Sequence, residues 1–405
     1  MNVLFQFVAL PNLTSETNLF CSLVNEFVKA GHNVKVATKG DAKKETSICR
    51  ENGIDVLRVK CDDFTGVASK IKKAIAYVKY SYLIVKYVKK FWKKEKFDLI
   101  ITHSLPPELG YIVKNIKRHY KCPIYLLVTD FTWQDAVAYG FFKKNGPIGL
   151  YYRFWERVLF KNVDFIGVPT PGNMEYLKQQ CRWLKDNQFS VFPFWQKPVE
   201  LHIDNSIRNK YGLGTKFVAI YGGSVGPAQK LEHLVALAYS VRDNEDILFL
   251  VLGKGSNLDE IKYMVKEKGL SNVLFLDFLP QSEYLQLLSS CNAGMIILNE
   301  KHATPNFPSK ACSYFNLMVP ILASIDYVTD FGLFLESTNT GLWSYSGDND
   351  TFKSNLLRLY EDNELRETIR NNEIDYFNSN MHPRHAYNAI MEQLYNDKKY
   401  SSHKS

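Results

Sequence analysis

No stretch of this chain reaches the roughly 18 consecutive apolar residues that a membrane-spanning helix needs. Its opening, MNVLFQFVAL, is patterned like a strand and lacks the basic n-region of an export signal, so the expected location is cytoplasmic. No Cys-x-x-Cys pair occurs among the seven cysteines, Cys21, Cys49, Cys61, Cys122, Cys181, Cys291 and Cys312. That scatter argues against a zinc site and against a disulfide framework, and leaves the thiols as small buried hydrophobes. With 46% hydrophobic against 23% charged residues, long disorder is excluded outside a tail after Asp397. Acids are missing in one place above all. Between Gly66 and Phe97 ten lysines stand against Glu95 alone, while the rest of the chain is close to neutral within a net charge of +8. A charge confined to one segment points to a local partner rather than to nucleic acid.

What the sequence does contain is alternation. At 405 residues it fits two domains of about 200 residues each. In the first half, Val3 to Leu10, Asn33 to Thr38, Asp55 to Val59, Phe97 to Thr102, Pro123 to Thr129 and Asp164 to Val168 read as strands, with a helix spaced on Leu19, Leu23, Phe27 and Val28 between the first two. This rhythm predicts an α/β fold with a doubly wound parallel sheet, whose ligands lie beyond the strands' carboxyl ends. From Asn187 the period is lost, and the stretch to about Asn205 reads as a linker. The alternation then resumes with strands at Phe217 to Tyr221, Ile247 to Leu252, Val273 to Leu276 and Ala293 to Leu298. The expected domains are therefore 1–195 and 205–380, followed by a helical segment over 381–400.

Several polar residues fall at predicted strand ends. Asn12, Ser15 and Thr17 sit between the first strand and its helix, where they can cap the helix or meet a polar ligand. His103 and Asp130 directly follow neighbouring strands. In the second half Gly222, Gly223 and Gly226 follow one strand and Gly253 and Gly255 the next, where missing side chains let a ligand approach the backbone. The run TPNFPSKACSYFNLMVPILAS, Thr304 to Ser324, reads as loop, helix and buried strand, because Pro305 and Pro308 bar a helix before Ser309. Ser309 is then the expected N-cap, bringing unpaired N–H groups together with the ammonium of Lys310 in a place suited to a diphosphate. Lys230 is the second expected cation, making a two-lysine clamp. Within 67–96, Val67, Ile71, Ile75, Val78, Tyr82, Val85 and Trp92 recur at helical spacing beside a row of Lys72, Lys79, Lys86 and Lys93. That predicts a helix packed on the sheet whose lysines, with Tyr80, Tyr82, Tyr87 and Trp92, can rest on an anionic membrane.

The runs YGGSVGPAQKLEHLV, FLVLGKG, NVLFLDFLP and TPNFPSKACSYFNLMVPILAS together resemble the donor domain of glycosyltransferase family 4, in its branch for bacterial capsule, O-antigen and exopolysaccharide synthesis. TDFTWQDAVAYG and YRFWERVLFKNVDFIGVPT are similar to the acceptor domain of the same enzymes. The resemblance implies a GT-B fold of two Rossmann-like domains facing a cleft, with a last helix, His385 to Tyr395, crossing back to the first domain. It further implies a nucleotide-sugar donor, a glycan or lipid-linked glycan acceptor, retention at the anomeric carbon, and no metal or other cofactor. Gly223, Ser224, Lys230, Gly253, Gly255, Asn306, Ser309, Lys310 and Ser313 are the implied donor-binding residues. Asn12, Ser15 and Thr17 are candidates for the acceptor, and His103 and Asp130 for the chemistry. Three positions depart from the family pattern, since Ser313 and Pro305 stand where glutamates are usual, and Ser224 stands where an arginine often meets the diphosphate. These departures keep a non-catalytic partner subunit open as an alternative. A nucleotide-sugar 2-epimerase fits less well, because it would need several acids and histidines in its cleft.

Overall fold

The structure, a computed structural model, describes residues 1–14, 18–62, 70–106, 108–200, 206–277 and 279–396. The chain divides into two compact units, one of Met1–Lys197 with the segment that begins at Pro383, the other Pro198–His382. The first unit holds an eight-stranded sheet of β1 (Asn2–Gln6), β2 (Asn33–Lys39), β3 (Ser47–Glu51), β4 (Ile54–Val59), β5 (Leu99–His103), β6 (Ile124–Leu127), β7 (Phe165–Val168) and β8 (Phe189–Val191), in the order β3-β4-β2-β1-β5-β6-β7-β8. Every pairing is parallel except β3 with β4. The central strands read LIITH, IYLL and FIGV and are buried almost throughout, as a parallel sheet covered on both faces requires. Helices α1 (Leu19–Lys29), α2 (Lys70–Phe91), α3 (Leu109–Tyr120), α4 (Thr132–Ala138), α5 (Pro147–Lys161) and α6 (Pro171–Gln180) supply the cover.

The second unit repeats the plan with six parallel strands, β9 (Phe217–Ser224), β10 (Ile247–Lys254), β11 (Val273–Leu276), β12 (Ala293–Ile297), β13 (Ile321–Ile325) and β14 (Gly341–Tyr345), in the order β11-β10-β9-β12-β13-β14. Its helices are α7 (Ser206–Lys210), α8 (Glu232–Ser240), α9 (Leu258–Glu267), α10 (Gln281–Ser289), α11 (Ala311–Asn316), α12 (Phe331–Thr338), α13 (Asn349–Glu361) and α14 (Asn363–Asn380). A last helix, α15 (Pro383–Asn396), packs Ala386, Ile390, Met391 and Leu394 into the core of the first unit beside α1.

Three readings of the sequence need correction. The supposed linker after Asn187 begins as the edge strand β8, and Phe192, Phe194 and Trp195 beyond it are buried, with the Trp195 Nε1 donating to the Leu19 carbonyl at 2.8 Å. Its prolines masked a strand too short to show a period. The hairpin strand β3 went unread because only its last residue, Glu51, is buried. In α2 the core takes Ala76, Tyr80, Ile84, Val85 and Val88, with Trp92 just beyond its end, whereas Ile75, Val78 and Tyr82 are exposed, so the apolar spacing merged two faces of one helix. Tyr80 and Trp92 are thereby removed from any surface role, while Val67 lies outside the described residues.

Candidate functional site

In the second unit the residues of interest gather at the carboxyl ends of β9, β10, β12 and β13. Strand β9 ends in Tyr221-Gly222-Gly223-Ser224. The tyrosine is fully buried and its hydroxyl donates to the Ser224 carbonyl at 2.6 Å, folding the strand end back over the ring. Gly223 has a φ of +150°, and a Cβ there would come 3.1 Å from the Lys310 Nζ. That ammonium stands 4.0 Å from the Tyr221 ring centroid, a cation–π distance. Burial without an acidic neighbour pushes the Lys310 amine down to about 7, so it is poised to gain from an incoming anion. Gly222 and Gly294 leave room for the half-buried ring of Tyr284 and the buried ring of Tyr314, and the Tyr314 hydroxyl donates to the Met295 carbonyl at 3.2 Å. These three tyrosines support the turn from below.

The helix start differs from the expectation. Ser309 is exposed and does not cap; the cap position is Lys310, already in helical conformation and without a side-chain cap bond. The turn is tight, with Ala311, Cys312 and Ser313 N–H groups donating to the carbonyls of Pro308, Ser309 and Lys310 at 2.9, 3.2 and 3.0 Å. Those three donors are spent, and α11 has only six residues. The attraction for an anion therefore rests on the Lys310 charge rather than on a long helix dipole.

The two-lysine clamp is also not what forms. Lys230, at a left-handed φ of 42°, makes an ion pair with Glu300 at the end of β12. Burial pushes the Glu300 carboxyl up, but hydrogen bonds from Lys230 and from His233, at 3.5 Å, outweigh it and hold it below the usual range. Ser346 lies 3.1 Å from the same His233 nitrogen. Lys230 thus arrives already paired, leaving the half-buried Lys310 as the cation at the turn that no carboxylate engages among the described residues. Glu300, His233 and Ser346 were not singled out from the sequence, although Glu300 follows a strand end by the same logic as His103.

Gly253 and Gly255 answer to backbone packing. A Cβ on Gly253 would meet the Gly223 oxygen at 1.9 Å, and one on Gly255 the Val225 oxygen at 1.8 Å. Their missing side chains admit the neighbouring loop. Asn306 is fixed by Thr329, whose hydroxyl accepts its N–H at 3.1 Å and donates to its carbonyl. Thr329 is held in turn by the buried Asp326, whose Oδ1 takes the N–H groups of Val328 and Thr329 at 2.8 Å each. Phe307 packs on Phe331 and Phe334, so the segment leading to Lys310 is anchored on both sides. Ser313 is half-buried on α11, and Pro305 is buried.

In the first unit His103 ends β5, its ring 5.6 Å from Phe7 and 5.3 Å from Phe20, centroid to centroid. Burial pushes it down to about 4, and its Nδ1 has no hydrogen-bond partner among the described residues. It is a neutral imidazole. Asp130 lies beyond β6, its Oδ1 accepting the Phe131 N–H at 2.8 Å, and lines a small pocket with Ser104, Thr132, Gln134 and Glu156. Burial pushes Glu156 up against the opposing hydrogen bonds from Trp133 and Gln134, at 2.9 and 2.7 Å. Glu108, on the same side of β5, is buried and raised by burial, and accepts from the Tyr151 hydroxyl at 2.9 Å.

Asn12 uses its side-chain oxygen within its own turn, on the Thr14 N–H and hydroxyl at 3.0 and 2.9 Å. The loop that carries it is tied down by Arg58, which donates to the Leu10 and Pro11 carbonyls and pairs with Glu51. The cap of α1 is Asn18. Ser15 and Thr17 lie outside the described residues. Among the described residues no three His, Cys, Asp or Glu side chains converge to hold a metal.

Two Rossmann-like units, with a glycine turn and a half-buried lysine at the second unit's strand ends, define the class as GT-B. Solved structures agree on the fold. Sucrose-phosphate synthase from Thermosynechococcus elongatus matches with a TM-score of 0.77 at 16% identity, over 99% of this chain and 100% of its own. WaaG, a glycosyltransferase involved in lipopolysaccharide biosynthesis, matches with a TM-score of 0.68 at 15% identity, over 96% and 99%. Anabaena HepE, in complex with UDP, gives 0.69 at 12% identity, over 97% and 99%. The family model for glycosyl transferases group 1 matches residues 204–375, and that for the glycosyl transferase 4-like domain matches residues 18–195. A putative colanic acid biosynthesis glycosyl transferase, WcaI of Escherichia coli K12, is 22% identical over 201 residues, about half the length of either protein at 48% each. The chain belongs to glycosyltransferase family 4.

Proposed function

We propose that this protein transfers a sugar from a nucleoside diphosphate sugar to a lipid-linked glycan at the inner face of the plasma membrane, with retention of anomeric configuration. The observation that carries the reading is the Lys310 ammonium over Tyr221, beside the Gly223 turn and without a carboxylate partner among the described residues. Departure of the sugar builds negative charge on the leaving phosphate, and a positioned cation in a desolvated site stabilises that charge. Nucleotide binding by a relative supports the donor class, since HepE is described in complex with UDP. Ser224 and Ser313 are the hydroxyls assigned to the diphosphate and ribose, and Asn306 and Ser309 shape the approach to Lys310. His103, being neutral, orients sugar hydroxyls by hydrogen bonding and does not act as a base with an ordinary imidazole pKa. The leaving phosphate then takes the acceptor's proton, and no metal is required. Asp130 and the loop at Asn12 are assigned to the acceptor. The basic segment 67–96 holds the protein against anionic lipid.

The test is release of nucleoside diphosphate from UDP- and GDP-sugars in the presence of a lipid-linked glycan, with the product anomer read by NMR. Turnover that falls about a hundredfold or more in Lys310→Ala supports the reading. Full activity in His103→Ala would remove that residue from it. Ser313 and Pro305, in place of the usual glutamates, favour a second reading as a non-catalytic partner subunit. Absence of turnover and of nucleotide binding would select it.

A further inference from the structure

Buried polar atoms that lack a partner are uncommon, and four of them gather at the carboxyl edge of the first sheet. They are the His103 Nδ1, Ser104 Oγ, Glu108 Oε2 and Gln134 Oε1, none of them hydrogen-bonded among the described residues. Ser104 and Gln134 stand apart from the other two, because both line one small cavity between the ends of β5 and β6 and helices α4 and α5. Its volume is about 20 Å³, against the roughly 10–15 Å³ that one water needs, so it takes the tip of a substituent and not a sugar ring. The exposed Thr132 and the half-buried Asp130 also line it, so it is reached from the surface at that edge. Its wall is apolar, built from the buried Val128, Phe131, Leu159 and Phe160.

The hydrogen-bonding sense of Gln134 is fixed by its neighbour. The Glu156 Oε1 takes the Trp133 Nε1–H at 2.9 Å, and an indole nitrogen can only donate, so this oxygen is an acceptor. The Gln134 group that meets the same oxygen at 2.7 Å is therefore its NH₂. What remains is the amide carbonyl, an acceptor without a donor among the described residues. Ser104 directly follows β5 and is held by its own N–H, which donates to the Leu127 carbonyl at 3.0 Å, so its hydroxyl is free to donate into the cavity. The cavity thus offers one fixed acceptor, one donor and an apolar wall.

We propose that this cavity reads the acetamido group of an N-acetylated amino sugar on the acceptor glycan. The acetamido N–H donates to the Gln134 carbonyl, its oxygen accepts from the Ser104 hydroxyl, and its methyl rests against Phe131, Leu159 and Phe160. A sugar hydroxyl or a water satisfies the two polar atoms but leaves the apolar wall bare, and a carboxylate substituent would face the Gln134 carbonyl with no donor there to receive it. Gln134 and Ser104 are thereby specificity-determining residues. This rests on the reading of the first unit as the acceptor-binding one and names the acceptor's chemical class.

Saturation-transfer NMR on the full chain, without donor, compares the methyl glycosides of N-acetylglucosamine and N-acetylgalactosamine with those of glucose and galactose. The acetamido sugars are expected to bind about tenfold or more tightly, the worth of one or two net hydrogen bonds, with the strongest saturation at the acetyl methyl. Ser104→Ala combined with Gln134→Met is expected to erase that preference, with thermal unfolding as the control for folding. Should that pair not fold, Ser104→Ala alone, which removes a hydroxyl unpartnered among the described residues, is expected to reduce the preference measurably. Equal binding of acetamido and hydroxyl sugars, binding of neither, or a preference that the variants retain in full overturns the proposal. None of those outcomes touches the transferase reading, which fails separately if nucleotide binding and turnover are absent.

Discussion

Lys310 carries the strongest prediction at the scale of one residue. Its amine, pushed down to about 7 by burial, is charged below that pH and neutral above it. Affinity for a nucleoside diphosphate is therefore highest below about pH 7 and falls by up to about tenfold per pH unit above it, until the pKa of the bound state is reached. Lys310→Arg, which keeps its charge, flattens this dependence. Binding isotherms for UDP and GDP across that range check it; a Kd independent of pH with the wild type would show that Lys310 does not meet the phosphates. His103 makes the complementary prediction. With its imidazole held near 4, the pH profile of kcat/KM contains no His103 limb near neutrality, whatever loss His103→Ala causes.

Lys310 was legible in the sequence because the prolines fixed where its loop ends. The partner of Lys230 was not, since Glu300 lies 70 residues away and only the sheet brings the two together. The aromatic floor of Tyr221, Tyr284 and Tyr314 was equally hidden, each ring reading as an ordinary core residue.

At the scale of elements, the paired glycines and α14 each support a prediction. Gly255→Ala drives a Cβ into the Val225 carbonyl, so it costs about 1–3 kcal/mol of stability and shifts the loop that follows Gly223, weakening nucleotide binding without touching the ligand. Denaturant unfolding and nucleotide titration of the same variant check both effects; unchanged stability would contradict the packing. Glu373 is fully buried on α14, with neither oxygen hydrogen-bonded among the described residues. Burial raises its folded-state pKa well above the usual carboxylate value, against a weaker pull from Arg370. The native state therefore holds a proton that the unfolded chain releases above its ordinary pKa, and stability falls as pH rises through that window. Glu373→Gln is expected to flatten that fall in thermal unfolding measured from acid to neutral pH. An unaltered slope would mean that Glu373 is ionised in the folded protein.

Element order was largely readable, because buried parallel strands are continuous apolar runs. The strands missed, β3, β8 and β14, are edge strands whose residues are mostly exposed or half-buried. The face of α2 was misread for the opposite reason, since its apolar residues serve both the core and an exposed stripe.

At the scale of the whole molecule, two units of one design place a lysine-bearing turn on one and a neutral histidine, with the carboxyls of Glu108 and Glu156, on the other. The fold was legible through the resemblance, and the departures at Ser313 and Pro305 were visible in the sequence itself. What those departures mean for donor binding was not, because it depends on whether a lone cation at Lys310 suffices. Calorimetric titration of the purified protein with UDP and GDP, repeated with Lys310→Ala, asks this directly. The account predicts binding of one nucleotide that Lys310→Ala weakens at least about tenfold, as loss of a charge-assisted contact of over about 1.4 kcal/mol entails. Binding of neither nucleotide, or equal binding by the wild type and Lys310→Ala, would contradict it.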